Sequence, residues 1–540
     1  MAHLDIQLTQ ANGRRRWRRL PTRPSWWLYL IVAAIALLML IPVGYLILRA
    51  IGAGDDALVQ LRRPANLRVL GASVLLAGVV TAASLLIGVP LAWLTTRSDL
   101  PGRRIWLVLA MAPLAIPSYI GAWAIISVLG PKGLLQRILA PLGVERLPEI
   151  YGFAGAAFAL TLFGFPYVLL SVRVALRRMD PALEEAARSL GRPPRQIFRS
   201  IVLPQLRPAI AAGGLLVALY TLSDFGAVSL LRYTTFTSAI RSRYSLGNLT
   251  GAAVLSLLLV ILAALLLGAE ALTRGRVRYH RSSVGAMRRA APTPLGRWKY
   301  PALLFCAVVM LFSVVLPLVA IVGWLAVGLR AGQPLNFQPS HVLNSMLAAG
   351  IAAAAATVAA VPVVLLAVRY PGRLTSLLER CTYIGYALPG IVVALALVFL
   401  GANYLPGLYQ TLSLLVVAYV VRFLPQAIGS VRTSFLQINP RIEEAARALG
   451  RPRWRVVTSI VLPLLAPGLT SGAALVFLST LKELPATLLL GPTGFKTLAT
   501  DIWNQTTELQ FSQAALPALL LLVAAAGSLA LTLAQDRTKG

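Results

Sequence analysis

The chain has 540 residues, 58% of them hydrophobic and 13% charged, with a formal net charge of +32. Soluble domains carry about 25% charged residues, so this composition excludes a water-soluble globular protein and points to a membrane. The excess arginine does not point to nucleic acid, because it lies in short segments between apolar runs, with no aromatic platform or reading motif among them.

In chain order, residues 1–27 form a basic tail, with Arg14 to Arg19 preceding an apolar run. The arrangement resembles a secretory or twin-arginine signal, but the run is about 21 residues long against the 7 to 15 of a signal core, so it reads as the first transmembrane helix. Apolar windows predict twelve helices, near 28–49, 69–96, 105–129, 152–176, 208–231, 252–273, 301–327, 342–368, 381–401, 411–430, 466–491 and 514–534. Each is near the roughly 20 residues that a hydrocarbon core demands. Trp17, Trp26, Trp27, Tyr29 and Trp106 fall at predicted span ends, where amphipathic rings favour the headgroup layer. Pro113, Pro117, Pro166, Pro389 and Pro425 lie in or near spans, where they free carbonyls and permit bends.

With a cytoplasmic N-terminus, roughly 37 of the 50 Lys and Arg fall on the cytoplasmic side and about 12 outside, with Lys482 in a span. This asymmetry predicts a multi-pass inner (plasma) membrane protein with both termini cytoplasmic. Cys306 and Cys381 fall in predicted spans, which excludes a disulfide framework, and His3, His280 and His341 are scattered without ligand spacing. No metal centre is expected.

The chain also repeats itself. Pro181-Ala182-Leu183-Glu184-Glu185-Ala186-Ala187-Arg188-Ser189-Leu190-Gly191-Arg192-Pro193 returns 259 residues later as Pro440-Arg441-Ile442-Glu443-Glu444-Ala445-Ala446-Arg447-Ala448-Leu449-Gly450-Arg451-Pro452. The register holds through Ile201-Val202-Leu203-Pro204 and Ile460-Val461-Leu462-Pro463. Upstream, Ser73, Pro90 and Arg97 match Ser345, Pro362 and Arg369 at an offset of 272. The reading is an all-α integral membrane fold in two parallel six-helix repeats, residues 28–273 and 301–534. A basic cytoplasmic linker, 274–300, joins them, and a short tail, 535–540, follows. Each copy of the motif comes after the fourth helix of its half, so both face the cytoplasm, and the repeats are related by an axis along the membrane normal.

Each motif copy predicts a short helix, 181–190 and 440–449, capped by Asp180 or Asn439 and stopped by Gly191 or Gly450. At about 15 Å it is too short and too charged to span. Ala186 and Ala187, with Ala445 and Ala446, leave room for a partner's backbone, and the acidic pairs and arginines offer charge pairing. An amphipathic connector lying on anionic lipid is the alternative. Two copies on one face favour two docking sites for a symmetric partner.

The spacing Glu-Ala-Ala, three residues, Gly, nine residues, Ile, one residue, Leu-Pro runs from Glu185 to Pro204 and again from Glu444 to Pro463. It resembles the coupling-helix signature of permease subunits of binding-protein-dependent ABC importers. The resemblance implies a type I importer permease fold, with Glu185, Ala186, Gly191, Glu444, Ala445 and Gly450 as ATPase-coupling positions and helix-breaking Pro204 and Pro463 ending each motif. It also implies partners: two ATP-binding-cassette ATPase subunits that use ATP and Mg, and a periplasmic or lipid-anchored solute-binding protein. The segment from Lys482 to Phe495 with Thr497-Leu498-Ala499, and Ser223 to Ala227 with Arg232 to Ile240, resemble the fused permeases of ferric-iron importers. Iron is therefore the expected substrate, with thiamine or another small solute as the alternative within the class.

Asp224 and Glu483 occupy equivalent positions, 39 residues after Glu185 and Glu444. An ionisable side chain in a span costs about 3 kcal/mol on insertion scales and demands a reason. One reason is contact with a cationic or metal-containing substrate near the outer mouth of a pathway. The other is structural, by pairing of Glu483 with Lys482 or a nearby arginine, or by exposure at the interface. Gly491 to Thr497 imitates a phosphate-binding loop but lacks its Gly-Lys step, so no ATPase site, catalytic residue or bound cofactor is expected in this chain. An ion-coupled secondary transporter is the runner-up class; it predicts buried ionisable residues and no docking loops.

Overall fold

The computed structural model describes residues 24–131, 133–144, 147–273 and 292–537. The expected tail 1–27 as far as residue 23, the linker stretch 274–291 and residues 538–540 lie outside the described residues, as do His3, Trp17 and His280. Among the described residues the chain is helical, and its one extended pairing is an isolated bridge between Ser98 and Thr293. Eleven helices are long and apolar enough to cross a membrane, and Gly390–Tyr404 is a shorter apolar helix. Taken in register, these twelve make two sets of six.

In each half the second, fourth and fifth helices form the centre. Pro64–Arg97, Phe153–Arg178 and Leu203–Ser223 pack together, and so do Pro339–Arg369, Leu412–Phe435 and Leu462–Leu481. Small residues make the close approach possible. Ala348, Ala349, Ala352, Ala353, Ala356 and Ala360 are all buried along one helix, and a Cβ on Gly213 would lie 2.9 Å from the Cα of Val168. The halves are interlaced as well. The first helix, Trp26–Gly52, lies against Arg373–Thr382 and Gly390–Tyr404 of the second half, and Leu316–Arg330 lies against Ser118–Leu129 of the first.

The third helix of each half is broken where an unbroken span was expected. Arg103–Met111 passes through the 3-10 turn Ala112–Ala115 and extended Ile116-Pro117 before Ser118–Leu129 begins. In the second half Arg373–Thr382, Ile384–Ala387, extended Leu388-Pro389 and Gly390–Tyr404 repeat the pattern. The cause is proline: the residue before it is pushed out of the helical region, and its missing N–H leaves a carbonyl without its helical partner.

Pro204 and Pro463 act differently from expectation. They do not break the chain into a new span; they lie inside long helices, Arg195–Ser223 and Trp454–Leu481. A widened π turn comes just before each, Phe198–Val202 and Val457–Val461, and a third, Leu311–Val315, precedes Pro317. Widening the turn relieves the clash between a proline ring and the carbonyl four residues back, so the helix continues. Both fifth helices therefore begin well before residues 208 and 466, and they end early, at Ser223 and Leu481. Trp26 and Trp27 are exposed and stacked at the start of the first helix, as anchors would be.

Candidate functional site: motif helices and an inter-half cavity

The motif helices are Ala182–Ser189 and Pro440–Ala448. The Asp180 carboxylate accepts from the N–H of Ala182 at 3.0 Å, and the Asn439 side chain from that of Arg441 at 3.1 Å. Gly191 and Gly450 stop the helices with φ of +74° and +79°, which an L side chain adopts only with strain. The N–H of Arg192 then reaches the carbonyl of Ala187 and that of Arg451 the carbonyl of Ala446, closing both C-termini.

The alanine pairs divide between two roles. Ala186 and Ala445 are exposed, as docking positions require, but Ala187 and Ala446 are 6% exposed and turn into the protein. The reason is helical geometry, since adjacent residues lie about 100° apart and only one face is free. The glutamates divide in the same way. Glu185 and Glu444 are exposed, while Glu184 pairs with Arg97 at 3.2 Å and Glu443 with Arg369, so each motif is tied to the second helix of its half. Around the free glutamates stand Leu183 and Leu190, and in the second copy Ile442 and Leu449, exposed by 45% to 83%.

Asp224 and Glu483 come together with residues of both halves around one cavity of about 260 Å³. Its lining follows the repeat. Tyr167 faces Gln426 in register, Tyr220 faces Ser479, Asp224 faces Glu483, and Ile116-Pro117 face Leu388 and the neighbouring Pro389. In one half the first two positions are a ring pair with centroids 5.5 Å apart; in the other, Ser479 donates to Gln426 at 2.9 Å. Tyr167 is the fifteenth residue of Phe153–Arg178 and Arg422 the eleventh of Leu412–Phe435, so the cavity lies near half-height, deeper than the expected outer mouth.

Both carboxylates are buried and serve the breaks at which they stand. Asp224 Oδ1 accepts from Ala227 and Val228 N–H at 3.0 and 3.3 Å, and Glu483 Oε1 from Ala486 N–H at 3.3 Å. Each thereby caps the short helix that follows, Gly226–Leu230 or Pro485–Leu490. Glu483 also pairs with Arg422, not with Lys482. Lys482 instead donates to the carbonyl of Leu114 across the boundary between halves, at 2.6 Å. Sequence reasoning passed over Arg422, whose signal was a lone arginine eleven residues into an apolar span.

The segment Gly491 to Thr497 is a turn between helices. Gly494 has φ +81°, and Thr497 begins the capped helix Leu498–Thr507, matching the capping box of Thr235 in the first half. Ser73 and Ser345, paired in the repeat, accept from the N–H of Phe236 and Leu498 at 3.0 and 2.8 Å. Cys306 is buried and Cys381 half-buried, both free. No group of three His, Cys, Asp or Glu that would hold a metal ion occurs among the described residues.

Residues 84–278 and 360–539 each match the family described as binding-protein-dependent transport system inner membrane component. The chain is 34% identical over 513 residues to the Fe(3+)-transport system permease protein FbpB 2 of Haemophilus influenzae, covering 94% of this chain and 98% of that relative. It is 29% identical over 557 residues to the probable ABC transporter permease protein y4fN of Sinorhizobium fredii, covering 95% and 96%. A shorter match, 34% over 141 residues, links 26% of the chain to half of the sulfate transport system permease protein CysT of Salmonella typhimurium. With two copies of the matched unit and a cavity lined by both halves, this chain belongs to the binding-protein-dependent permeases, as a fusion of two importer halves in one polypeptide.

Proposed function

We propose that this permease carries ferric iron across the inner membrane, receiving it from a solute-binding protein and moving it on the power of two separate ATPase subunits. The observation that carries the reading is the cavity lined in register by both halves, together with two motif helices each tied to the second helix of its half. Iron is supported by the 34% identity, over nearly the full length of both chains, to a permease named for Fe(3+) transport. The ATPases use ATP and Mg, and each seats against one motif helix, with Glu185, Ala186 and Leu190 or Glu444, Ala445 and Leu449 as contact positions. That face is cytoplasmic, which places both termini inside. In this reading the chain is a transport subunit without a reaction of its own.

The test is uptake of labelled ferric iron by cells with and without this subunit, with thiamine as competitor. Iron uptake that depends on the subunit and ignores thiamine supports the reading; iron uptake indifferent to the subunit defeats it.

A further inference from the structure

The cavity between the halves is unequal in charge. Where the repeat aligns its lining, Phe163 of the first half is answered by Arg422 of the second, and Ser223 by Lys482. Both changes add a cation to the second side. The two carboxylates do not offset them evenly. Asp224 and Glu483 direct oxygens to backbone N–H groups at helix starts, and Glu483 takes the guanidinium of Arg422. Lys482 has only a neutral carbonyl, that of Leu114, and forms no ion pair among the described residues. A further cation, outside the lining, contacts one of the lining side chains. The guanidinium of Arg241 lies 5.8 Å from the ring centre of Phe225, which lines the cavity, and its Nη1 is buried without a hydrogen-bond partner. Phe225 also touches Trp503 of the other half, with ring centres 5.2 Å apart.

The lining thus holds two cations, Lys482 and Arg422, and two carboxylates; Glu483 is paired with Arg422, Asp224 is bonded to backbone N–H groups, and Lys482 is left without an ion pair. An ammonium held away from bulk water without a counter-charge is costly, and its presence calls for a partner that arrives with the load. The polar lining also includes the phenols of Tyr167 and Tyr220, whose hydroxyls can donate as well as accept.

We propose that the cavity takes its load as an anion, with Lys482 as the charge that recognises it: a ferric ion enters wrapped in carboxylate or oxyanion ligands that carry net negative charge. A bare trivalent cation would meet the unpaired ammonium of Lys482, while the carboxylate of Glu483 is held by Arg422 and that of Asp224 by the N–H groups of Ala227 and Val228. This deepens the ferric-iron reading and rests on it for the identity of the metal; the charge of the load rests on the cavity alone.

The experiment uses the whole complex, permease with its ATPase and binding protein, in proteoliposomes supplied with iron-55 as ferric citrate, and sulphur-35 sulfate in a parallel arm. Wild type is compared with Lys482→Gln, Lys482→Met and Lys482→Arg, each first checked for recovery of assembled complex. Gln keeps a donor for the Leu114 carbonyl and loses the charge; Arg keeps the charge. Raised half-saturating concentrations of tenfold or more for Gln and Met, with Arg within about threefold of wild type, support the proposal. Gln behaving as wild type would reduce Lys482 to a tie between the halves and overturn it, as would Arg failing as badly as Met. If the wild-type complex moves sulfate but no iron, the iron reading falls, and the same charge dependence in the sulfate arm upholds the anion proposal while its absence overturns it. Uptake of neither tracer defeats both.

Discussion

Arg97 and Glu184 meet at 3.2 Å between the C-terminal end of the second helix and the first motif helix, and Arg369 and Glu443 repeat the contact in the second half. In the proposed mechanism these are the ties by which motion of a motif helix reaches the helical core. Both partners of each pair are largely buried, and breaking such a pair by removing one side costs about 3 kcal/mol. Arg97→Ala with Arg369→Ala is expected to leave the spans inserted while the motif helices lose their fixed position. ATPase activity of the assembled complex then continues with uptake reduced at least tenfold. Measuring both rates on one preparation checks it, and a strict parallel fall of the two would show that the pairs serve assembly instead.

The outer surface of the same helices yields a second expectation. Leu190 and Leu449 are 77% and 83% exposed at equivalent positions, directly before the glycine stop. In the proposed complex they are buried against the ATPases, and a large aliphatic side chain gains about 2 kcal/mol on full burial. Leu190→Asp is expected to weaken co-purification of ATPase, and the double variant with Leu449→Asp to abolish it, while the permease alone is recovered at wild-type levels. Retained ATPase in the double variant would place the docking surface elsewhere.

A third expectation concerns Gly390, the first residue after the break in the second half. A Cβ there would collide with the guanidinium of Arg422 and the carboxylate of Glu483. Its counterpart in the first half is Ser118, tolerated because Phe163 stands where Arg422 does. Gly390→Ala therefore displaces the ends of two flexible side chains and loosens the ion pair, at the low end of overpacking costs, about 1 kcal/mol. Uptake is expected to fall while Gly407→Ala, in open space, has no effect. A melting scan in detergent, with Gly390→Ala lower than Gly407→Ala, checks the structural half of the claim.

Much of this architecture was legible in the residues because it depends on averages and on repetition. Long apolar runs gave the spans, and the recurring Glu-Ala-Ala to Leu-Pro spacing gave the motif helices. The breaks at Pro117 and Pro389 were hidden because hydropathy averaged over twenty residues does not see a turn that keeps its apolar side chains. Pro204 and Pro463 looked like helix ends because the π turn that rescues them is a backbone adjustment with no residue signature. The tie between Arg97 and Glu184 was out of reach for another reason: both residues were visible, but they belong to segments repeating at offsets of 272 and 259, and only folding brings them together. The equivalence of Asp224 and Glu483 was readable; the different companions that they keep were not.

The break at Pro117 has a consequence for the bond between the halves. Three residues after Leu114, proline has no N–H to offer the Leu114 carbonyl, and Lys482 of the other half takes it at 2.6 Å. Pro117→Ala supplies that missing N–H and lets the turn extend toward a continuous helix. The carbonyl then has a local donor that competes with Lys482, so the bond across the halves weakens and the cavity wall straightens. Uptake is expected to fall several-fold in Pro117→Ala, and the proximity of the two segments, read by cross-linking of Ala115→Cys with Leu481→Cys in each background so that Lys482 stays in place, to decrease with it. Equal cross-linking in the two backgrounds would mean that the break is set by Pro113 and the Ala112–Ala115 turn, with Pro117 a passenger.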